Sequence, residues 1–186
     1  MLTRYNKLKT ELKLELINIL KYWKKNTLDN VYGGFVGKIN HNNQVVVKAS
    51  KGIILNTRIL WSFSAASNHL KTRKYINICN RAFIYLKNNF KDEKHKGVYW
   101  ELDYLGKPIN KRKQTYAQAF TIYALSEYYI LSKNEEAKRW AIEIFELIET
   151  YAKDPVSLGY FEAFDNKWLR TEDMRLSIKD INASKT

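Results

Sequence analysis

The sequence is poor in the residues that usually announce a chemistry or a compartment. Its 186 residues include one cysteine and three histidines. The lone Cys79 closes no internal disulfide. It sits among Ile78, Ala82 and Phe83 on an apolar stripe, which predicts a buried structural thiol rather than a nucleophile. His41, His69 and His95 fall in predicted turns or at a helix end, where a solvated imidazole is the default. Their spacing suits no metal, and no CxxC, HExxH, P-loop or Gly-rich dinucleotide motif occurs. The first residues, Met1 to Lys7, lack the apolar core of a signal peptide. No stretch approaches the ~20 apolar residues of a membrane span, and mean hydropathy is −0.48. These features point to a cytoplasmic protein with no membrane segment. Acidic residues are scarce too, 19 against 32 basic ones, for a net charge of +13. The lysines are scattered along every segment with no basic arm, so the charge reads as a solvated Lys-rich surface and not as a nucleic-acid site.

Aromatic and apolar residues are abundant. Five Trp, thirteen Tyr and eight Phe stand in a chain that is 45% hydrophobic, enough for one domain with a real core. Such rings line sugar sites by stacking on apolar sugar faces, although most are expected to be core. Periodicity predicts five helices, over about residues 3–25, 52–69, 72–90, 112–132 and 134–153. The first, third and fifth are amphipathic, with stripes such as Leu8, Leu12, Leu16, Ile19, Leu20 and Trp23, and are expected to form an outer layer with one face in water. The second and fourth are apolar on several faces, as inner-layer helices are.

Between the helices a phrase recurs. It reads Gly34-Phe35-Val36-Gly37-Lys38-Ile39-Asn40, Gly97-Val98-Tyr99-Trp100-Glu101-Leu102-Asp103 and Gly159-Tyr160-Phe161-Glu162-Ala163-Phe164-Asp165. The leading glycines lie 63 and then 62 residues apart. Each copy has the look of a short strand entering a polar turn, and three evenly spaced copies indicate a structural repeat. Two helices and a β-turn element per repeat predict stacked α-hairpins, in an open solenoid or a closed toroid. The third phrase is not followed by an inner helix, so the chain reads as a repeat array that stops within a unit.

Few residues invite chemistry. Arg58 places a permanent charge in an otherwise apolar helix predicted to be buried. Three readings stand: an ion pair with a carboxylate on a neighbouring helix, a side chain that snorkels to an end, or a cavity-lining guanidinium that holds a sugar oxygen as negative charge develops on it. On the fourth helix Tyr116 and Phe120 share a face with Tyr123 close by, suited to sugar recognition or to packing. Glu101, Asp103, Glu162 and Asp165 lie in the repeat phrases, where turn and cap roles fit first. No pair of groups for proton transfer can be assembled.

The segments Gly33-Gly34-Phe35-Val36-Gly37, 55–64 around Asn56-Thr57-Arg58, Lys113-Gln114-Thr115-Tyr116-Ala117-Gln118-Ala119-Phe120 and Gly159-Tyr160-Phe161-Glu162-Ala163 together resemble the cellobiose 2-epimerases of the N-acylglucosamine 2-epimerase superfamily. The resemblance runs over essentially the whole chain. It implies an all-α (α/α)6-barrel, or toroid, of which residues 1–186 would form one incomplete domain, the N-terminal half of the ring. It further implies an isomerase that inverts C2 of the reducing-end glucose in a disaccharide such as cellobiose, through two histidines and an enediolate. Arg58 matches a catalytic Arg of that family, Tyr116 a sugar-contacting Tyr, and Asp180 an acidic substrate-binding position before the next inner helix. No metal or organic cofactor is implied. The family's histidine pair has no counterpart here, so this chain alone is expected to be inactive. An N-acylglucosamine 2-epimerase, an aldose–ketose isomerase of the same fold, or a non-catalytic carbohydrate-binding remnant are the alternatives.

Overall fold

The computed structural model describes residues 2–177 and 179–181. Five helices carry the architecture: α1 (Leu2–Asn26), α2 (Ile53–His69), α3 (Ile76–Tyr85), α4 (Thr115–Ser132) and α5 (Glu135–Leu147). A π-helical turn prolongs α3 through Leu86–Phe90, and another prolongs α5 through Ile148–Ala152. Five short strands complete the set: β1 (Lys51–Gly52), β2 (Glu101–Leu102), β3 (Pro108–Asn110), β4 (Lys113–Gln114) and β5 (Ala163–Phe164).

The local chemistry explains several boundaries. Asn134 caps α5 by accepting from the Ala137 N–H at 2.9 Å, and Glu135 and Glu136 place negative charge on that helix's first turn. Helix α4 stops where Lys133 turns left-handed, at φ 58°. It starts at Thr115 rather than the expected 112, because Lys113 and Gln114 are spent pairing with Phe164 and Ala163. Helix α3 starts at Ile76, later than the expected 72, since Thr72 takes the Lys74 N–H into a turn.

The repeat is written in the backbone. Leu28 bridges Phe35, Lys91 bridges Val98 and Lys153 bridges Tyr160, each across seven residues. In every unit the residue pair opening the phrase has positive φ: Gly33 and Gly34, Lys96 and Gly97, Leu158 and Gly159. The chain thus re-enters the bridge through two successive left-handed residues, a conformation that Gly adopts at no steric cost, which is why Gly leads each phrase. An aspartate follows each outer helix. The Oδ1 atoms of Asp29, Asp92 and Asp154 each accept the N–H groups two and three residues on. At the phrase ends, Asn40, Asp103 and Asp165 accept the N–H groups two and four residues on. The turn roles expected for Asp103 and Asp165 are the ones they play.

Successive units are stitched by sheet pairing and helix packing. Strand β1 pairs antiparallel with β2, which pairs with β3, and β4 pairs with β5. A strand that leads into an inner helix thus joins the phrase of the next unit. Helix α2 packs against α4 and α3, and α4 packs against α5, so α2 and α4 form an inner layer and α3 and α5 an outer one. Between the layers lie Leu60, Phe63, Cys79, Phe83, Leu86, Leu125 and Ile144, all buried. Phe83 stacks on Tyr128 at 4.9 Å and meets Trp140 edge-on at 6.4 Å. The architecture is the expected all-α double layer of a toroid segment. Among the described residues no helix is long and apolar enough to cross a membrane.

Helix α1 departs from the expected outer-layer packing. Its C-terminal half joins the core through Leu20, with Leu16 and Trp23 partly buried. Leu8 and Leu12, on the same stripe, are 52% and 62% exposed, and His69 at the end of α2 borders that stretch. The amphipathic pattern therefore extends past the surface that α2 covers.

Two buried ion pairs tie the layers together. Lys51 Nζ lies 2.7 Å from Asp29 Oδ2 and also donates to the Gly33 carbonyl. One unit on, Lys113 Nζ lies 2.7 Å from Asp92 Oδ2. Each lysine leads into an inner helix, and each aspartate ends an outer one. Burial works against the Asp92 carboxyl, but Lys113 and the His95 N–H hold it below its ordinary value; Asp29 is lowered in the same way by Lys51 and the Tyr32 N–H.

Candidate functional site

The first two phrase-bearing connections run to the start of an inner helix, and the third pairs through β5 with the strand that opens α4, so the phrases gather where α2 and α4 begin. Arg58 lies in the second turn of α2 and Tyr116 in the first turn of α4. Arg58 is exposed, contrary to the burial expected from its apolar neighbours. The apolar faces of α2 are spent on α3 and α4, and Arg58 occupies the face left open. Its Nη2 donates to Tyr116 Oη at 3.4 Å, and its Cζ lies 5.1 Å from the centroid of the Phe120 ring. Among the described residues it makes no ion pair. The carboxylate partner that one reading required is not there, and the guanidinium is held by a phenol and a ring face.

The aromatic neighbours continue along the two inner helices. Tyr116 meets Phe120 at 4.7 Å, Phe120 meets Tyr123 edge-on at 6.4 Å, and Tyr123 stacks on Trp61 at 4.9 Å and 16°. Tyr123 is 51% exposed. Ser62 lies on the same open face, one helical turn beyond Arg58. On the other side of Arg58 a depression of about 470 Å³ is lined by Trp23, Ile54, Leu55, Ile59, Ser62 and Phe63, among others.

The start of α4 is fixed from two phrases. Glu162 accepts the Tyr116 N–H at 3.3 Å, its carbonyl takes the Thr115 N–H at 2.7 Å, and Thr115 Oγ1 donates to the Phe161 carbonyl at 2.6 Å. The fully buried Gln118 bonds both backbone groups of Val98, accepting at 2.9 Å and donating at 3.0 Å. Glu162 is therefore a helix cap, and the phrases determine where Tyr116 stands. Arg58 and Tyr116 both lie near helix N-termini, whose dipoles add positive potential. The site suits an oxygen on which negative charge develops.

Asp180 lies apart from this pair. It is exposed, its Oδ2 accepts the Ser177 N–H at 2.7 Å, and its charge acts on Arg175. No contact among the described residues joins it to Arg58 or Tyr116. The histidines are elsewhere as well. His41 sits in the turn of the first phrase, His69 lies eleven residues beyond Arg58 along α2, or about 16 Å, and the His95 carbonyl accepts from the Trp168 indole. Cys79 is fully buried, and burial pushes its thiol up to about 11, so it is an inert core residue. Among the described residues no three His, Cys, Asp or Glu side chains cluster as metal ligands would.

Sequence reasoning noted Phe120 and Tyr123 without seeing their part. The repeat period held the signal: Arg58 and Phe120, like Trp61 and Tyr123, stand 62 residues apart and so hold the same place in successive units.

Comparison with known proteins decides the family. The N-acylglucosamine 2-epimerase (GlcNAc 2-epimerase) family profile matches residues 33–178, well over half of the chain. The chain belongs to the N-acylglucosamine 2-epimerase family. Within this family it is 43% identical over 180 residues to a cellobiose 2-epimerase of Bacteroides fragilis, covering 96% of this chain and 46% of the relative. A cellobiose 2-epimerase of Dictyoglomus turgidum is 39% identical over 171 residues, with coverages of 91% and 43%. The solved cellobiose 2-epimerase of Bacillus thermoamylovorans B4167 superposes with a TM-score of 0.86 at 36% identity, over 95% of this chain and 47% of that one. A D-mannose isomerase gives 0.77 at 22% identity, over 86% and 40%, a likeness of fold alone. The chain spans about half the length of the curated relatives it matches.

Proposed function

We propose that this chain supplies the Arg58 and Tyr116 side of a sugar 2-epimerase that acts on the reducing-end glucose of a β-1,4-linked disaccharide such as cellobiose. The observation that carries the reading is a guanidinium that has no carboxylate partner among the described residues, beside a phenol, near the paired N-termini of two inner helices. In the open-chain sugar the proton on C2 is acidified by the C1 carbonyl. A base takes that proton, the C–H electrons move into a C1–C2 double bond, and the carbonyl electrons settle on O1 as an enediolate. Donors already aimed at that oxygen lower the barrier without reorganising. Arg58 has five N–H donors, one of which is engaged by Tyr116, so several remain for O1 and O2. Return of a proton to the opposite face of C2 gives the mannose epimer.

The proton steps need a base and an acid on opposite faces of C2. None of the three histidines of this chain stands at Arg58. The chain is thus the substrate-holding and charge-stabilising part of the site, one incomplete domain that is inactive alone, and the proton-transfer groups come from the remainder of an enzyme of the relatives' length. Asp180 would join the sugar-binding set once an inner helix follows it.

The test joins this chain to the part of the Bacteroides fragilis relative that it does not match, and assays cellobiose, lactose, N-acetylmannosamine and mannose. Epimerisation of the disaccharides, lowered about 10²–10³-fold by Arg58→Ala, is the expected result. Turnover of the N-acyl or free monosaccharides only would move the reading to an N-acylglucosamine 2-epimerase or an aldose–ketose isomerase. Full activity of Arg58→Ala would overturn it.

A further inference from the structure

We infer that Phe120 is the positioning residue for Arg58: its ring face holds the guanidinium in the open site without neutralising it. This inference rests on the epimerase reading for its kinetic consequence, but its structural content stands independently.

Arg58 needs a holder. It is an exposed, long side chain on an open helix face, and left free it would spread over many rotamers. A carboxylate would fix it, yet would also satisfy its donors and cancel its charge. The two contacts present engage one donor at most and leave the charge intact. The Tyr116 hydroxyl stands at 3.4 Å, long for a charge-assisted bond. The Phe120 ring at 5.1 Å attracts a cation through its quadrupole and takes up no N–H. The ring is itself held on both sides, by Tyr116 at 4.7 Å and Tyr123 at 6.4 Å, and Tyr123 is braced by Trp61 at 4.9 Å. Phe120 is half-buried, so its face is fixed before any ligand arrives.

The repeat explains the contact. Residues one period apart stand level on adjacent inner helices. One step further along the helices the two units place Trp61 and Tyr123, an aromatic pair. At the level nearer the helix N-termini one member is Arg58 and the other remains aromatic. A cation facing a ring is what this ladder becomes when one rung is exchanged for arginine, and no acidic residue stands in the rung's place. A merely structural aromatic would leave Arg58 indifferent to its loss.

Two experiments test this. In the chain itself, the rate of Arg58 modification by phenylglyoxal is followed by peptide mapping in the wild type, Phe120→Leu and Phe120→Tyr, with the part-buried, hydrogen-bonded Arg81 as an internal reference for folding. The expected result is severalfold faster modification of Arg58 in Phe120→Leu, near wild-type reactivity in Phe120→Tyr, and an unchanged Arg81. Equal Arg58 reactivity in the wild type and the leucine variant would overturn the inference, as would a tyrosine variant that behaves like leucine. In the joined enzyme, Phe120→Leu is expected to lower kcat about threefold to tenfold with KM nearly unchanged, and Phe120→Tyr to restore it. A rise in KM alone would contradict positioning of a charge-stabilising group. If the joined enzyme turns over none of the sugars, the epimerase reading fails while the labelling result still decides whether Phe120 holds Arg58.

Discussion

Replacing Lys113 by methionine tests the ion pairs that lock the inner layer to the outer one. The Lys113 and Asp92 side chains are 0% and 2% exposed, with Nζ and Oδ2 2.7 Å apart. Methionine keeps most of the stem's packing but leaves the Asp92 carboxylate buried without its counter-charge, with Tyr99 still bonded to it. Its Oδ1 retains the Lys94 and His95 N–H groups, so the loss falls on Oδ2. Breaking a buried pair from one side costs about 3–5 kcal/mol. At 2–4 °C per kcal/mol for a chain of this size, the melting temperature should fall on the order of 10 °C. The double variant Lys113→Met/Asp92→Asn removes both charges and should regain most of that loss. Lys87→Met, which breaks the half-exposed pair with Glu136, should change stability by less than about 1 kcal/mol. The pH dependence has a defined sign. Asp92 is held below its ordinary 3.8, so the unfolded chain binds more protons as pH falls. The pair's contribution is complete above about pH 4 and is lost below it as pH drops through the folded value. Urea denaturation monitored by circular dichroism, at pH 7 and between pH 5 and 3, measures each effect. A single-variant loss below 1 kcal/mol, or an acid transition equally steep in the double variant, would refute the argument.

Three further outcomes follow from individual residues. Arg58→Ala should leave the melting temperature within about 2 °C, because the side chain is exposed and unpaired with any described acid; a large drop by calorimetry would show a structural role. Gly34→Ala should destabilise by several kcal/mol, since the added Cβ would lie 2.6 Å from Tyr85 ring atoms at a φ of +64°, while Gly52→Ala, with nothing within 4 Å, should stay within about 1 kcal/mol. Cys79 should resist an aromatic disulfide reagent in the native chain and react once urea unfolds it, because it is fully buried and its thiol is pushed up to about 11; rapid native labelling would contradict its core placement.

Much of the fold was legible because the repeat makes the same statement three times. The Gly that leads each phrase and the Asn or Asp that closes it are backbone requirements, a left-handed turn and an N–H acceptor, and such requirements show in a sequence. Helix starts were less legible. Lys113 and Gln114 read as helix by pattern and became strand because a partner strand fifty residues on was available. Arg58 was singled out correctly as unusual, but its burial was misjudged. Whether an apolar helix face meets a neighbour or an open cavity depends on how many helices flank it, which periodicity does not encode. The Lys51–Asp29 and Lys113–Asp92 pairs and the Arg58–Phe120 contact all obey the period, and comparing residues across units would have exposed them. Asp180 and its role rest on resemblance alone.

The central claim is that this chain holds the sugar and stabilises charge while the proton chemistry is done by residues outside it. Deuterium exchange tests that directly. Cellobiose is incubated in D2O with the chain alone, and with the chain joined to the unmatched part of the Bacteroides fragilis relative, and C2 deuterium is read by NMR. No exchange with the chain alone, and deuterated glucosyl-mannose from the joined protein, is the predicted result. Deuterium appearing at C2 with this chain alone would show that it carries its own base, and would contradict the account.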